Sequence, residues 1–247
     1  MQTERPFVMS VAGFDPSGGA GVLADIKTFE QLKVQGLAIC TALTLQTESE
    51  FYTLQWQPID EILSAIDILM KKYKVEAVKI GVVKDAEFLA QIAEKVKTIN
   101  PEVKIVWDPV LKSTSEFSFF DLNTIHELKN VLRKIDLITP NYNEYEILKE
   151  YHLFEQSGSG CSVLIKGGHR EDKTGTDILW ENGKEISIEP NNTTSVFYPK
   201  HGSGCVLSCA IASHLAKGEN LKNACRKGKQ YIEKFLASNP TLLGFHS

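Results

Sequence analysis

Phe7-Val8-Met9-Ser10-Val11-Ala12, then the connection Gly13-Phe14-Asp15-Pro16-Ser17-Gly18-Gly19-Ala20-Gly21, then Val22–Leu32: this stretch decides the fold. A near-continuous apolar run reads as a strand buried on both faces, and the apolar spacing after the glycines reads as a helix. The same unit recurs. Strands are expected at Leu37–Leu45, Ala77–Ile80, Val103–Trp107, Asp136–Thr139 and Val163–Lys166. Helices are expected at Ile59–Tyr73, Asp85–Ile99, Leu122–Lys134 and Asn143–Tyr151. Thr176–Glu181 and Lys184–Glu189 read as a hairpin around Asn182-Gly183, a pair suited to a type I′ turn. Two helices, Cys205–Ala216 and Leu221–Leu236, close the chain. Repeated β-α units predict an α/β fold with a mainly parallel sheet covered on both faces. Such sheets take ligands beyond the carboxyl ends of their strands.

Composition narrows the classes. The chain has 247 residues, 43% hydrophobic and 23% charged, as in ordinary globular proteins. This length suits one large domain, and no linker divides residues 1–247. The net charge of −4 gives no reason to expect a nucleic-acid surface. No apolar run approaches the roughly 20 residues needed to span a bilayer. The polar start, Met1 to Arg5, is unlike a signal peptide, so a cytoplasmic location is expected. The five cysteines are odd in number and widely spaced, which favours reduced thiols. Cys40 and Cys161 read as core residues.

The connection most suggestive of chemistry is His201-Gly202-Ser203-Gly204-Cys205, just before a helix of small side chains. Glycines let several backbone N–H groups turn one way, and a helix start adds unpaired N–H groups and partial positive charge. Together these suit a phosphate. A thiol there is expected to have a lowered pKa, which would let Cys205 act as a general base near neutral pH. Three other readings stand beside this one: an ordinary turn with Cys205 as packing, a metal set of His201, Cys205 and Cys209, and a cysteine hydrolase using His201 or His214. The same letters at Gly158-Ser159-Gly160-Cys161 lead into a strand and read as a turn.

Other strand ends are polar. The glycine-rich connection after the first strand matches neither the P-loop nor the dinucleotide fingerprint, which argues against a nucleotide-binding oxidoreductase. Asp25 and Lys27 follow it as a solvated pair or as site residues. Gln46 ends the second strand, where an amide suits the edge of a heteroaromatic ring. Asp108 follows Trp107, and Asn141 and Glu144 have the spacing of either a capping pair or a magnesium and phosphate site. Lys166 ends a strand and could meet a nucleotide phosphate. Asn191–Ser195 reads as a polar surface loop.

Taken in order, Ala12–Gly21 with Ala24–Phe29, Val78-Lys79-Ile80-Gly81, Asp108-Pro109-Val110, Thr139–Glu144, Val163–His169 and His201–Cys205 resemble the hydroxymethylpyrimidine/phosphomethylpyrimidine kinases of thiamine biosynthesis, in the ribokinase-like superfamily. The resemblance implies a three-layer α/β/α sandwich and a homodimer. It implies ATP- and magnesium-dependent phosphorylation of 4-amino-5-hydroxymethyl-2-methylpyrimidine and then of its monophosphate. It implies that Gln46 holds the pyrimidine, with Gly13, Ala20 and Asp25 around that pocket. Cys205 falls at the catalytic-base position, and Gly202, Ser203 and Gly204 at the anion hole. Asn141 and Lys166 fall on the nucleotide side, and Asp108 and Glu144 on the metal side. The family usually has Thr where Ser203 stands and Met where Val82 stands, its pattern is poorly kept over Leu111–Ser115, and relatives often extend beyond the equivalent of Ser247. Pyridoxal kinases share the scaffold. A pyridoxal kinase and a non-catalytic pyrimidine sensor are therefore the alternatives.

Overall fold

The computed structural model describes residues 4–112, 117–154, 160–169, 175–191 and 196–247. Nine strands form one sheet: β1 Phe7–Phe14, β2 Gln35–Gln46, β3 Phe51–Trp56, β4 Val75–Ile80, β5 Lys104–Trp107, β6 Leu137–Ile138, β7 Ser162–Ile165, β8 Asp177–Glu181 and β9 Lys184–Ile188. Their order is β3-β2-β1-β4-β5-β6-β7-β8-β9. The six from β2 to β7 in that order run parallel, β3 and β8 run against them, and β9, antiparallel to β8, runs with them again.

The apolar runs are continuous because alternate residues serve two cores. In β1, Met9 and Val11 join one core and Val8 the other; in β5, Ile105 and Trp107 face one way and Val106 the opposite way. Over the first face lie α2 (Ile59–Lys72), α3 (Ala86–Ile99), α4 (Leu128–Val131) and α5 (Tyr142–Glu150), through Ile66, Leu89, Leu128 and Leu148. Over the second lie α1 (Gly21–Gln31), α6 (Ser203–Ala216) and α7 (Leu221–Ala237), through Phe29, Ile211 and Phe235. This is the expected three-layer α/β/α sandwich. Caps set several boundaries: Asp85 accepts a hydrogen bond from the Phe88 N–H at 2.8 Å, and Asn220 accepts one from the Asn223 N–H at 2.9 Å. Helix α6 is buried on every side from Val206 to Ser213, as its small residues require between sheet and neighbouring helices.

Three expectations are corrected. Phe51–Trp56 is a strand that the alternation of large and polar residues failed to signal, because both faces of this edge hairpin are partly wet. Leu122–Lys134 is a short α-helix between two 3₁₀ turns. Cys40 and Cys161 are half-buried rather than fully core. The final hairpin turns as expected, with φ of 51° at Asn182 and 74° at Gly183. Residues 113–115, 158–159 and 192–195 of the segments singled out above lie outside the described residues.

The chain starts at β1, moves out to β2 and β3, then resumes on the other side of β1 with β4. In open α/β sheets such a reversal marks where ligands bind, and here it falls at the carboxyl ends of β1 and β4, where the glycine-rich connection and Gly81 lie.

Candidate active site

At the carboxyl edge, α6 begins at the cap residue Gly202, whose φ is 70° and which has no side-chain cap. Val206 donates the first bond of the helix, to the Gly202 carbonyl at 3.0 Å. Among the described residues no protein acceptor takes the N–H groups of Ser203, Gly204 or Cys205, so three donors stay available at the positive end of the helix. A Cβ added to Gly204 would lie 3.0 Å from Lys166 Nζ and 3.5 Å from Asp108 Oδ2, so a larger residue there would press on the lysine head group.

Lys166, at the end of β7, donates to Asp108 Oδ1 at 2.8 Å. Thr139 donates to the same oxygen at 3.3 Å, and Ser208 of α6 reaches Asp108 Oδ2 at 3.4 Å. Burial works against ionising Asp108, but Lys166 and Lys79 outweigh it and hold its carboxyl below the usual range. Burial likewise opposes the Lys166 charge, and Asp108 and Glu144 keep it.

The Asn141–Glu144 pair forms a capping box on α5. The Asn141 side chain accepts from the Glu144 N–H at 2.9 Å, and Glu144 Oε2 accepts from the Asn141 N–H at 2.8 Å. Glu144 Oε1 also accepts from the Leu111 N–H at 3.3 Å. Burial pushes the Glu144 carboxyl up to about 7, with Lys166 opposing and the Asp108 charge adding to the rise. Magnesium favours hard oxygens and takes one or two carboxylates alongside substrate phosphates and water. Asp108 and Glu144, two carboxylates near enough that the Asp108 charge opposes ionisation of Glu144, fit that habit.

Cys205 departs from its expectation. Burial at the sulfur pushes the thiol up to about 11, although the Lys79 ammonium and the Gly21 amide favour its thiolate. A helix terminus is worth about 0.3–1 kcal/mol, under one pKa unit, so it does not overcome this. The resting thiol is therefore protonated at neutral pH.

The other predicted residues are dispersed around this centre. Gly13 is buried near the end of β1 and Ala20 half-buried in the β1–α1 connection, whose tight return puts the Gly13 carbonyl 2.1 Å from where a Gly21 Cβ would stand. Gln46 is half-buried and pairs with Phe51 in the β2–β3 hairpin, so it sits on a ribbon projecting past β1 rather than on a free strand end. Asp25 has no exposure; its carboxylate accepts from Ser10 at 2.5 Å and from Lys79 at 2.9 Å and 3.1 Å. It supports the site from below instead of lining a cavity.

Two competing readings fall. His201 Nε2 is engaged with Asp15 at 2.8 Å, and among the described residues no three His, Cys, Asp or Glu side chains converge on a metal position. His214 lies nine residues beyond Cys205 on α6, about 13 Å along the axis, and is no base for that thiol.

Sequence reasoning missed Lys79 and Asp15 as site-building residues and weighed His201 only as a metal ligand or a hydrolase base. Lys79 had a signal: a lysine inside the buried run Val78-Lys79-Ile80 must find a carboxylate.

The phosphomethylpyrimidine kinase family model matches residues 15–246. The chain is 33% identical over 246 residues to the hydroxymethylpyrimidine/phosphomethylpyrimidine kinase of Aquifex aeolicus, covering 95% of each chain. Its structure is similar to the phosphomethylpyrimidine kinase of Clostridium difficile, with a TM-score of 0.73 and 28% identity over 92% of this chain and 98% of that one. The pyridoxal kinase of Staphylococcus aureus, solved with AMP-PCP and pyridoxal, has a TM-score of 0.77 at 21% identity over 96% of this chain and 89% of that one, a likeness of fold alone.

Proposed function

The chain belongs to the phosphomethylpyrimidine kinase family, and from that premise we propose a division of labour for its site. It is an ATP-dependent phosphotransferase acting on hydroxymethylpyrimidine and its monophosphate in thiamine biosynthesis. The observation that carries the reading is the start of α6, with three unclaimed N–H groups beside the Lys166 ammonium at the carboxyl edge of the sheet.

Phosphoryl transfer depends mainly on alignment and on charge placed around the moving group. The N–H groups of Ser203, Gly204 and Cys205 take the equatorial oxygens of the terminal phosphoryl, and Lys166 takes negative charge on the nucleotide side. Asn141 holds α5 in register there through its capping box. Gln46 reads the pyrimidine edge, with Gly13 and Ala20 lining its approach. Asp108 and Glu144 would hold magnesium, which supplies charge neutralisation on the phosphates. Cys205, as thiolate, accepts the proton of the hydroxymethyl group while its oxygen bonds to phosphorus and ADP departs. Lys79 and the helix start favour that thiolate.

A homodimer belongs to the same proposal, and the exposed Leu43, Leu45 and Tyr52 of the β2–β3 hairpin offer apolar area for it. So does a cytoplasmic location. Among the described residues no helix is long and apolar enough to cross a membrane.

The test incubates purified protein with ATP, magnesium chloride and either hydroxymethylpyrimidine or pyridoxal, and measures ADP. ADP formed with hydroxymethylpyrimidine is expected. ADP with pyridoxal only, or tight pyrimidine binding without ADP, overturns the reading.

A further inference from the structure

The two loops that meet at the site are tied by one side-chain pair. Asp15, 1% exposed, lies in the β1–α1 connection, and its Oδ2 is 2.8 Å from His201 Nε2, the residue just before Gly202. The same carboxylate organises its own loop, accepting from the Ser17 N–H at 2.9 Å, the Ser17 hydroxyl at 2.8 Å and the Ala20 N–H at 2.9 Å. His201 is held from behind, its N–H donating to the Leu242 carbonyl at 2.9 Å. The backbones also touch: a Cβ on Gly202 would fall 2.1 Å from the Gly19 carbonyl oxygen, and one on Gly19 would fall 2.8 Å from His201 Cδ2.

We propose that Asp15 and His201 are positioning residues that fix the pyrimidine-side loop against the phosphate-side helix start, and so set the distance across which the phosphoryl group passes. This rests on the proposed function, which gives those two loops to the two substrates. Asp15 keeps its charge because the His201 and Ser17 hydrogen bonds outweigh the effect of burial. A short side-chain hydrogen bond joining two loops that also touch through their backbones resists sliding, and misplacing reacting groups by about 1 Å costs on the order of 10²-fold in rate. The other contacts between the loops are Gly202 against Gly19 and Ala20 and the Gly21 amide against the Cys205 sulfur; among the described residues no second side-chain pair of this kind ties them.

The test combines turnover with amide hydrogen exchange in His201→Ala, His201→Gln and Asp15→Asn. In His201→Ala, kcat for hydroxymethylpyrimidine falls about 30- to 100-fold while the ATP KM changes less than about threefold, and more ADP appears than phosphorylated pyrimidine. His201→Gln, which keeps a donor near the Nε2 position, recovers most of the loss. Exchange accelerates at the amides of residues 17–21 in His201→Ala and at 206–209, the first hydrogen-bonded amides of α6, in Asp15→Asn, with β8 and β9 unchanged. The proposal fails if folded His201→Ala keeps its kcat and its one-to-one stoichiometry, or if faster exchange stays within the mutated loop. Were the natural chain itself inactive on the pyrimidine, the function would fall, and the exchange measurement would still decide the clasp.

Discussion

Lys79 Nζ lies 2.9 Å from Asp25 Oδ2, and neither side chain has any solvent exposure. The pair joins β4 to α1 beneath the start of α6, with Ser10 of β1 completing the carboxylate's hydrogen bonds. Burial opposes the Lys79 charge, but the Asp25 carboxylate, with Asp108 behind it, holds the ammonium well above its ordinary pKa. A charged pair in this position is expensive unless both members are present. Lys79→Met should cost about 3–5 kcal/mol of stability in urea denaturation, because it strands a buried carboxylate. It should also raise the Cys205 pKa further, read as slower alkylation of that thiol at fixed pH. The double variant with Asp25→Asn should regain most of the stability and part of the thiol reactivity, because the Asp25 carboxylate also disfavours the Cys205 thiolate.

Cys205 gives a pH prediction. Burial holds its thiol up at about 11, and the proposed reaction uses the thiolate as proton acceptor. The kcat/KM for the pyrimidine should therefore rise with pH, by up to tenfold per unit, between about pH 8 and 10. In Cys205→Ala that rising limb should vanish and turnover should fall about 10²–10⁴-fold, with pyrimidine binding retained by calorimetry. A preserved limb would remove Cys205 from the role of base.

Glu144 links the site to stability. Burial raises its folded pKa to about 7, above its value in the unfolded chain. Between roughly pH 4.5 and 7 the folded state holds the extra proton, so this group's stabilising contribution is present at the acid end and is lost as pH rises to 7. Glu144→Gln keeps a capping-box acceptor and removes the titration. The stability difference between the two proteins should change by about 2–3 kcal/mol across that window, as measured by thermal or urea unfolding. A pH-independent difference would contradict the burial argument.

Gly202 is the tightest point of the phosphate loop. Its φ of 70° disfavours any L side chain, and an added Cβ would fall 2.1 Å from the Gly19 carbonyl oxygen. Gly202→Ala should lose kcat/KM by at least about 10²-fold through displacement of the helix start. Gly218, at a φ of 82° with open space around it, serves as the control, and Gly218→Ala should lower stability slightly and leave kcat/KM unchanged.

The parts of the fold readable in the sequence were those governed by local pattern. The parallel strands showed as apolar runs because alternate residues such as Val8 and Met9 enter different cores. The final hairpin showed because Asn182-Gly183 satisfies a backbone demand made by two residues alone. β3 did not show, since its pairing with β2 depends on the partner strand rather than on its own alternation. At the site, the Gly202–Cys205 loop was visible as a glycine pattern before a helix. The protonated state of Cys205, the Asp25–Lys79 pair and the Asp15–His201 contact were not, because each depends on what another element places beside it. Asp15 and His201 are 186 positions apart, and no local spacing relates them.

The most direct test of the central claim is a crystal structure with a non-hydrolysable ATP analogue, magnesium and hydroxymethylpyrimidine. The terminal phosphate should accept hydrogen bonds from the Ser203, Gly204 and Cys205 amides, with the hydroxymethyl oxygen on its far side from ADP and facing the Cys205 sulfur. A terminal phosphate bound away from the start of α6, or a pyrimidine on the opposite side of the sheet edge, would contradict it.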